Sequence, residues 1–524
     1  MDTFFTTLTG WVPLAFLGFA FFSTRILNEN SSRTGKVAEI LAWAATVATF
    51  ITFALWLIQG RINLSATLTE AGVLGVRLDT LSLPILGLVT FLGAVIVRFS
   101  RNYLSGDANQ GGFFKWLMVT LGAVISLVLS PGLVQFWLSW VVCSLGLHHL
   151  LVYFPDRLGT LLSARKKFIV SRLGDLFLIL SFIGIYRVFG TQNFSELFAQ
   201  TSAQPELLAN HTWIAWCIVG GAVLKSAQFP FHTWLPDTMG TPTPVSALMH
   251  AGIINAGGYL VIRMSPFLLE SSGAMLFLAV IGALTLICAS LVMLTQTSVK
   301  RSLAYSTIAQ MGFMLLQCGL GAFSLAVLHL IAHSLYKAHS FLSSGSTIAN
   351  LKRLEPRPVA PLSPIILIGL TGMSIALVGI MAWGWGLSAS TKPGLLVFLT
   401  VLAMAVSQYL VVSQQQHGSL LKMGRNILGA FGFVALYLGL ADGTMRYFSD
   451  SLPHQPVGGL ALQIILAAIL GAYLLITLTI QTQPTGKARP RVLQALYIHA
   501  LNGFYLNTLA NRFSRAAGLV PAGR

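Results

Sequence analysis

The chain has 524 residues, of which 55% are hydrophobic and only 9% charged, and its mean hydropathy is +0.76. This composition excludes a water-soluble monomer and points to a polytopic membrane protein. A net charge of +17 would suggest nucleic acid in a soluble domain, but in a membrane chain the placement of the cations carries the meaning, and no nucleic-acid partner is expected.

The opening segment MDTFFTTLTGWVPLAFLGFAFF reads as a first spanning helix, without the short core and cleavage site of a removed signal. A hydrocarbon core of about 30 Å needs roughly 20 apolar residues per helix. On that rule the chain has about fifteen spans, starting near residues 4, 38, 80, 113, 132, 168, 212, 243, 273, 301, 321, 362, 394, 424 and 457. Of the 32 lysines and arginines, 24 fall in the connections and tail on one side and six on the other. The positive-inside rule then places the N-terminus outside and the C-terminus in the cytoplasm. Two cations, Lys225 and Lys337, are left within spans. Each costs roughly a few kcal/mol at a helix centre unless it faces protein or water, so both are functional by default.

Lys225 stands in GGAVLKSAQFPFHTWLPDTMGTPTPVSALMH, where Pro230 breaks the apolar run five residues later. Proline removes a backbone donor, and freed carbonyls are tolerated at membrane depth only where they line a cavity. Broken helices near the midplane are the usual ion sites of transporters. His250, on the next span, can exchange a proton in the physiological range. In SRLGDLF, Arg172 and Asp175 stand three apart on one helical face. Asp175 is the natural carboxylate to tune Lys225, with Asp237 beyond the break as the fallback. In LAVLHLIAHSLYKAHSFLSSGS, His329, His333 and Lys337 recur every fourth residue as one stripe, with His339 on another face. An HxxxH pair can hold zinc, but the stripe offers no third ligand and places an ammonium one turn away, so no metal is expected. His148 and His149 are adjacent and face different ways, so His148 can at most be a side member of an interior path. The four cysteines are far apart in apolar segments and suggest neither a disulfide framework nor a metal site.

After the last span, TGKARPRVLQALYIHALNGFYLNTLANRFSRAAG is basic and semi-amphipathic, suited to a membrane surface or to a partner. Tyr497, His499, Asn502, Phe504 and Tyr505 favour a partner. Nothing resembles a nucleotide loop, a Rossmann fingerprint or a haem site, so no cofactor and no catalytic site are expected.

GAVLKSAQFPFHTWLPDTMGTPTPVSALMHA, SRLGDLF, QTSVKRSLAYSTIAQMGFM and HLIAHSLYKAHSFLSSGS resemble the antiporter-like subunits of respiratory complex I and of the Mrp cation/proton antiporters, particularly the NuoL branch. The match covers roughly residues 75 to 350. It implies an all-α polytopic fold with two inverted five-helix repeats, each with a broken helix. The corresponding division is 1–112 N-terminal helices, 113–270 first repeat, 271–420 second repeat, 421–480 C-terminal helices and 481–524 tail. It also implies a hydrated path through Lys225, His250, Asp175, Arg172, His329, His333 and Lys337.

The departures from that pattern are specific. Aligned on Trp140, the family's glutamate is Val141, the aspartate before its Lys-Arg pair is Ser298, and the stretch from Leu362 to Ser390 has no second broken-helix lysine. The long lateral helix of the complex I branch is absent. These losses and the tail QALYIHALNGFYLNT resemble an offshoot, the membrane subunits of the bacterial DAB inorganic carbon accumulation complexes. Their large soluble partner, DabA, is similar to a zinc β-carbonic anhydrase. The resemblance implies a bacterial inner-membrane subunit that conducts H+ or Na+ down its gradient to energise CO2 hydration in such a partner. The other readings are a proton-pumping subunit of a complex I relative, an Mrp-type Na+/H+ antiporter subunit, and a scaffold that has lost conduction.

Overall fold

The computed structural model describes residues 2–60, 63–67, 73–346, 362–387, 394–416, 420–453, 459–481 and 490–516. Of the cations counted above, Arg61, Lys352, Arg353, Arg357, Lys392, Lys487, Arg489 and Arg524 lie outside the described residues. The principal helices are α1 (Asp2–Leu17), α2 (Ser31–Ile58), α3 (Ser82–Tyr103), α4 (Gln110–Val128), α5 (Leu133–Leu151) and α6 (Leu158–Phe189). They continue with α7 (Trp213–Lys225), α8 (Thr243–Ala251), α9 (Ala256–Arg263), α10 (Ser272–Thr295), α11 (Val299–Gly319) and α12 (Phe323–Leu342). The last are α13 (Pro364–Gly384), α14 (Gly394–Gln416), α15 (Leu420–Tyr447), α16 (Leu460–Gln481), α17 (Arg491–Leu501) and α18 (Leu506–Ala516).

Among the described residues, eleven helices are long and apolar enough to cross a membrane, with α8 and α9 together counting as one. The shortfall from fifteen predicted starts has physical causes. The first apolar helical stretch, Leu8–Phe21, and α7, Trp213–Lys225, are shorter than a bilayer needs. Helices α11 and α12 are long enough but more polar, and α12 carries three histidines and a lysine. The all-α expectation also missed a small antiparallel hairpin, β1 (Leu64–Thr67) with β2 (Gly75–Leu78), in register Leu64↔Leu78. Gln135 holds it to α5, accepting from Gly75 N at 2.8 Å and donating to Gly75 O at 3.1 Å.

One large core joins α1 to α12, and smaller cores join α12 to α15 and tie α16 to α10, α11 and α14. Helices α10 and α11 cross very closely. A Cβ on Gly282 would lie 2.6 Å from the Gly312 carbonyl, and one on Gly312 would lie 2.7 Å from that of Gly282. Only glycine permits that backbone approach.

The span that starts with α7 ends at Lys225 and passes through turns to a 3-10 turn, Pro236–Gly240, before α8 begins with Pro244 in its first turn. The break expected around Pro230 is therefore present. The next span is interrupted too: α8 ends at Ala251, Ile253–Asn255 form a 3-10 turn, and α9 resumes the direction. This second break carries no proline, and the sequence reading did not find it.

Candidate functional site

The break in α7 leaves Lys225 at a helix end facing α6. Its Nζ lies 2.6 Å from Asp175 Oδ1, and Arg172 Nη2 lies 2.8 Å from Asp175 Oδ2. Lys225 and Asp175 are buried, with side chains 10% and 8% exposed, whereas Arg172 is 32% exposed. One carboxylate thus serves two cations, and the face of the Trp140 ring lies 5.1 Å from Lys225 Nζ. Asp237 does not reach this group. It pairs with Lys166, Nζ to Oδ2 at 2.6 Å, which corrects the expectation that it is the fallback partner of Lys225. The loop after Lys225 carries Asp237 down toward the end of α6 where Lys166 stands.

The second cluster joins three helices. His250 shares a 3.1 Å hydrogen bond between Nδ1 and Thr307 Oγ1 and stacks on Phe341, with ring centroids 4.3 Å apart. Thr307 donates to the Leu303 carbonyl at 3.0 Å, and Lys337 donates to the same carbonyl at 3.2 Å. His250 and Lys337 are therefore connected through one turn of α11. His329 and His333 continue the α12 stripe, both buried, with ring centroids 5.9 Å apart. His339 points outward and is exposed, and His148 is half-buried against Phe168.

A cavity of about 110 Å3 beside Lys225 is walled mainly by apolar side chains such as Ile85, Leu92 and Leu127, with Ser144, Lys167, Asn255 and Ser334 among its few polar members. Asn255 donates to Ser334 Oγ at 2.8 Å across the second break. A water needs about 10–15 Å3 of such space and polar partners. The Lys225 ammonium, Ser144 and the Asn255–Ser334 pair are the polar groups on this largely apolar wall.

Several residues here escaped the sequence reading. Lys166 and Lys167 were counted as loop cations, but α6 begins at Leu158 and both are buried. Lys167 Nζ donates to Ser144 O at 2.7 Å and to Ser144 Oγ at 2.9 Å. The count of two cations inside spans is thereby corrected. Spacing gave the signal: Lys167, Ser171 and Asp175 repeat every fourth residue of α6 and face α5. His232 was also missed; it is buried in the break and stacks on Phe229, with centroids 3.8 Å apart.

At one end of the bundle, Arg77, Asp79, Ser195, Arg263, Glu270 and Asp450 line a cavity of about 840 Å3. Asp79 accepts from the Leu81 and Ser82 amides at 3.1 and 2.7 Å and pairs with Arg77 at 2.8 Å and Arg263 at 2.5 Å. Burial pushes its carboxyl upward, but Arg263 and Arg77 outweigh burial and hold it well below the usual carboxylate range. Lys166, Asp237, Arg301 and Asn507 gather at the other end. Connections that the span parity assigns to opposite sides are thus found at opposite ends.

The five tail residues are not equivalent. Tyr497, His499, Asn502 and Tyr505 are exposed, but Phe504 packs against the large core. It is half-buried there and leaves less of its ring free for a partner than the other four.

Buried lysines beside broken helices deep in an apolar bundle are the architecture of a secondary transporter. The chain belongs to the NADH:quinone oxidoreductase/Mrp antiporter transmembrane family, whose sequence model matches residues 130–412, and residues 72–114 match the complex I chain 5 N-terminus. It is 40% identical over 471 residues to the probable inorganic carbon transporter subunit DabB2 of Halothiobacillus neapolitanus, covering 87% of this chain and 83% of that one. It is 38% identical over 384 residues to the probable inorganic carbon transporter subunit DabB of Hydrogenovibrio crunogenus, covering 73% and 72%. The Mrp complex from a Dietzia species shares the fold, with TM-score 0.56 and 23% identity, over 99% of this chain and 58% of that one.

Proposed function

We propose that this chain is the membrane subunit of a two-component inorganic carbon (CO2/bicarbonate) uptake complex. In this reading it conducts H+ or Na+ down its gradient and so energises CO2 hydration in a DabA-like, zinc-bearing, carbonic-anhydrase-like soluble partner. The names of its relatives support the substrate class. The observation that carries the conduction is the buried Lys225–Asp175 pair at a helix break, opening on the same cavity as Asn255 and Ser334.

Protons pass between Asp175 and Lys225 on one side and His250, Lys337, His333 and His329 on the other, with water and hydroxyls between them. Arg172 sets the charge at Asp175. His148, His339 and Asp237 lie beside this route. The chain spans a bacterial inner membrane about fifteen times, N-terminus periplasmic and C-terminus cytoplasmic, with inverted five-helix repeats at 113–270 and 271–420 between the helices of 1–112 and 421–480. The tail, 481–524, docks the partner through Tyr497, His499, Asn502 and Tyr505.

A proton-pumping subunit of a complex I relative, or an Mrp-type Na+/H+ antiporter subunit, is the second reading, favoured by the family description. Against it, α13 runs unbroken from Pro364 to Gly384 without a lysine. Lys225→Ala is expected to abolish carbon-dependent growth in a strain that relies on this complex while the partner still co-purifies. Normal growth of that variant would remove the relay.

A further inference from the structure

Beyond the last spanning helix, α17 and α18 form a hairpin that folds back on the chain. Its bend consists of Gly503, Phe504 and Tyr505, all with positive φ, at +58°, +52° and +63°. Three successive left-handed residues, two of them aromatic, hold their shape only where the surroundings impose it. The surroundings here are specific. Phe504 packs half-buried against the large core, a Cβ on Gly503 would lie 2.9 Å from the Tyr305 hydroxyl, and Gln296 donates to the Leu501 carbonyl at 3.3 Å.

The first helical turns after the bend bring Asn507 and Asn511 onto one face of α18. Both side-chain carbonyls accept from Lys166 Nζ, each at 2.8 Å. With Asp237 Oδ2 at 2.6 Å, all three ammonium protons are taken. Asn507 also donates from Nδ2 to Asp237 Oδ1 at 3.0 Å, which closes a ring of charge-assisted bonds. Asp237 belongs to the loop between Lys225 and α8. Lys166 is the immediate neighbour of Lys167, whose ammonium lines the central cavity on Ser144. The hairpin reaches the break a second way: Tyr305, under Gly503, lies beside His232, ring centroids 6.1 Å apart.

We propose that the C-terminal hairpin is a latch on conduction, in which Asn507 and Asn511 hold Lys166 against Asp237 and fix the loop below Lys225. This rests on the conducting role proposed above. Asn507, Asn511, Lys166 and Asp237 are positioning residues: they touch no transported ion and act through the placement of the Lys225 break and of Lys167. Movement of the hairpin, whose outward side exposes Val492, Leu509 and Phe513, frees Lys166 from two of its three acceptors and lets the inner loop move.

The test uses the full chain reconstituted in vesicles, with proton entry followed by an internal pH dye under an imposed potential. Wild type, Lys225→Ala, Asn507→Leu/Asn511→Leu and Asn511→Asp are compared. The leucine pair is expected to raise proton entry at least about fivefold over wild type. Asn511→Asp, which keeps an acceptor on Lys166 and leaves Asn507 bonded to Asp237, is expected to lower proton entry below the wild-type rate. The leucine pair must elute as a monodisperse species like wild type, and the Lys225→Ala change added to it must abolish the flux. Equal rates in wild type and the leucine pair, with Lys225→Ala still blocking both, would overturn the latch alone. A flux insensitive to Lys225→Ala would overturn the conduction reading and the latch with it. Loss of folding in the leucine pair would shift the decision to Asn511→Asp, where a rate below wild type supports the latch and an equal or higher rate refutes it.

Discussion

Asp175→Asn is the most direct test of the first cluster, because it keeps the shape of the side chain and removes its charge. Two cations lose their anion, but unequally. Arg172 is 32% exposed and can turn to water, so its loss counts for little. Lys225, with its side chain 10% exposed and 2.6 Å from the carboxylate, has no such escape. Removing one partner of a buried pair costs about 3–5 kcal/mol. The Trp140 face 5.1 Å away returns only about 0.5–2 kcal/mol of this. At about 1.4 kcal/mol per tenfold, a net cost of about 1–4.5 kcal/mol on the charged state of Lys225 slows a relay through it by roughly one to three orders of magnitude. Proton entry into vesicles containing the purified chain measures this, with Asp175→Glu as the control that retains the charge. An Asp175→Asn rate within about threefold of wild type would refute the view that this pair carries the proton.

Lys337→Gln is expected to reduce the same flux by at least about tenfold, because it cuts the connection to His250 at the Leu303 carbonyl; an unchanged rate would show that the second cluster lies off the route. Asp79 gives a prediction about stability. Its folded carboxyl is held below the ordinary value of about 3.9, so its contribution is complete above that pH and is lost as pH falls from there toward the folded value. Thermal unfolding should therefore be insensitive to Asp79 protonation above about pH 5 and decline below about pH 4. Asp79→Asn should lower Tm at neutral pH and flatten the acid limb, and a limb of unchanged steepness would assign it to other carboxylates.

The breaks and charges of the interior differ in how far the sequence reveals them. Lys225 and Pro230 stand out because a cation and a proline interrupt an apolar run, and hydropathy registers both. The Asp175 pairing was legible from the Arg172/Asp175 spacing once one helix was assumed. Lys166 and Lys167 were hidden by the same method: a window that begins the span at 168 pushes a polar turn into the loop, whereas α6 begins ten residues earlier, at Leu158. The break at Gly252–Asn255 left no mark, because it contains no proline and its polar Asn255 donates to Ser334, 79 residues away. The inward turn of Phe504 was equally invisible. It depends on left-handed backbone at two non-glycine residues, which propensity argues against and tertiary contact imposes.

The missing glutamate at position 141 can now be judged from geometry. Trp137, Val141, Ser144 and His148 recur every three to four residues on α5 and so form one stripe. Three of its members touch α6 or stand against it: Trp137 Nε1 donates to the Asp175 carbonyl at 3.4 Å, Ser144 accepts from Lys167, and His148 packs on Phe168. By that spacing Val141 falls between the levels of Asp175 and Lys167, so a carboxylate there would stand within about one helical turn of both. The present chain instead asks one acid to serve Arg172 and Lys225 together. Val141→Glu added to Asp175→Asn should return an anion to this face and recover at least about tenfold of the lost proton flux, while Val141→Gln, of the same length without charge, should recover none. If the glutamate double variant stays as slow as Asp175→Asn alone, the requirement is for a carboxylate at residue 175 itself and not for negative charge on the face between α5 and α6.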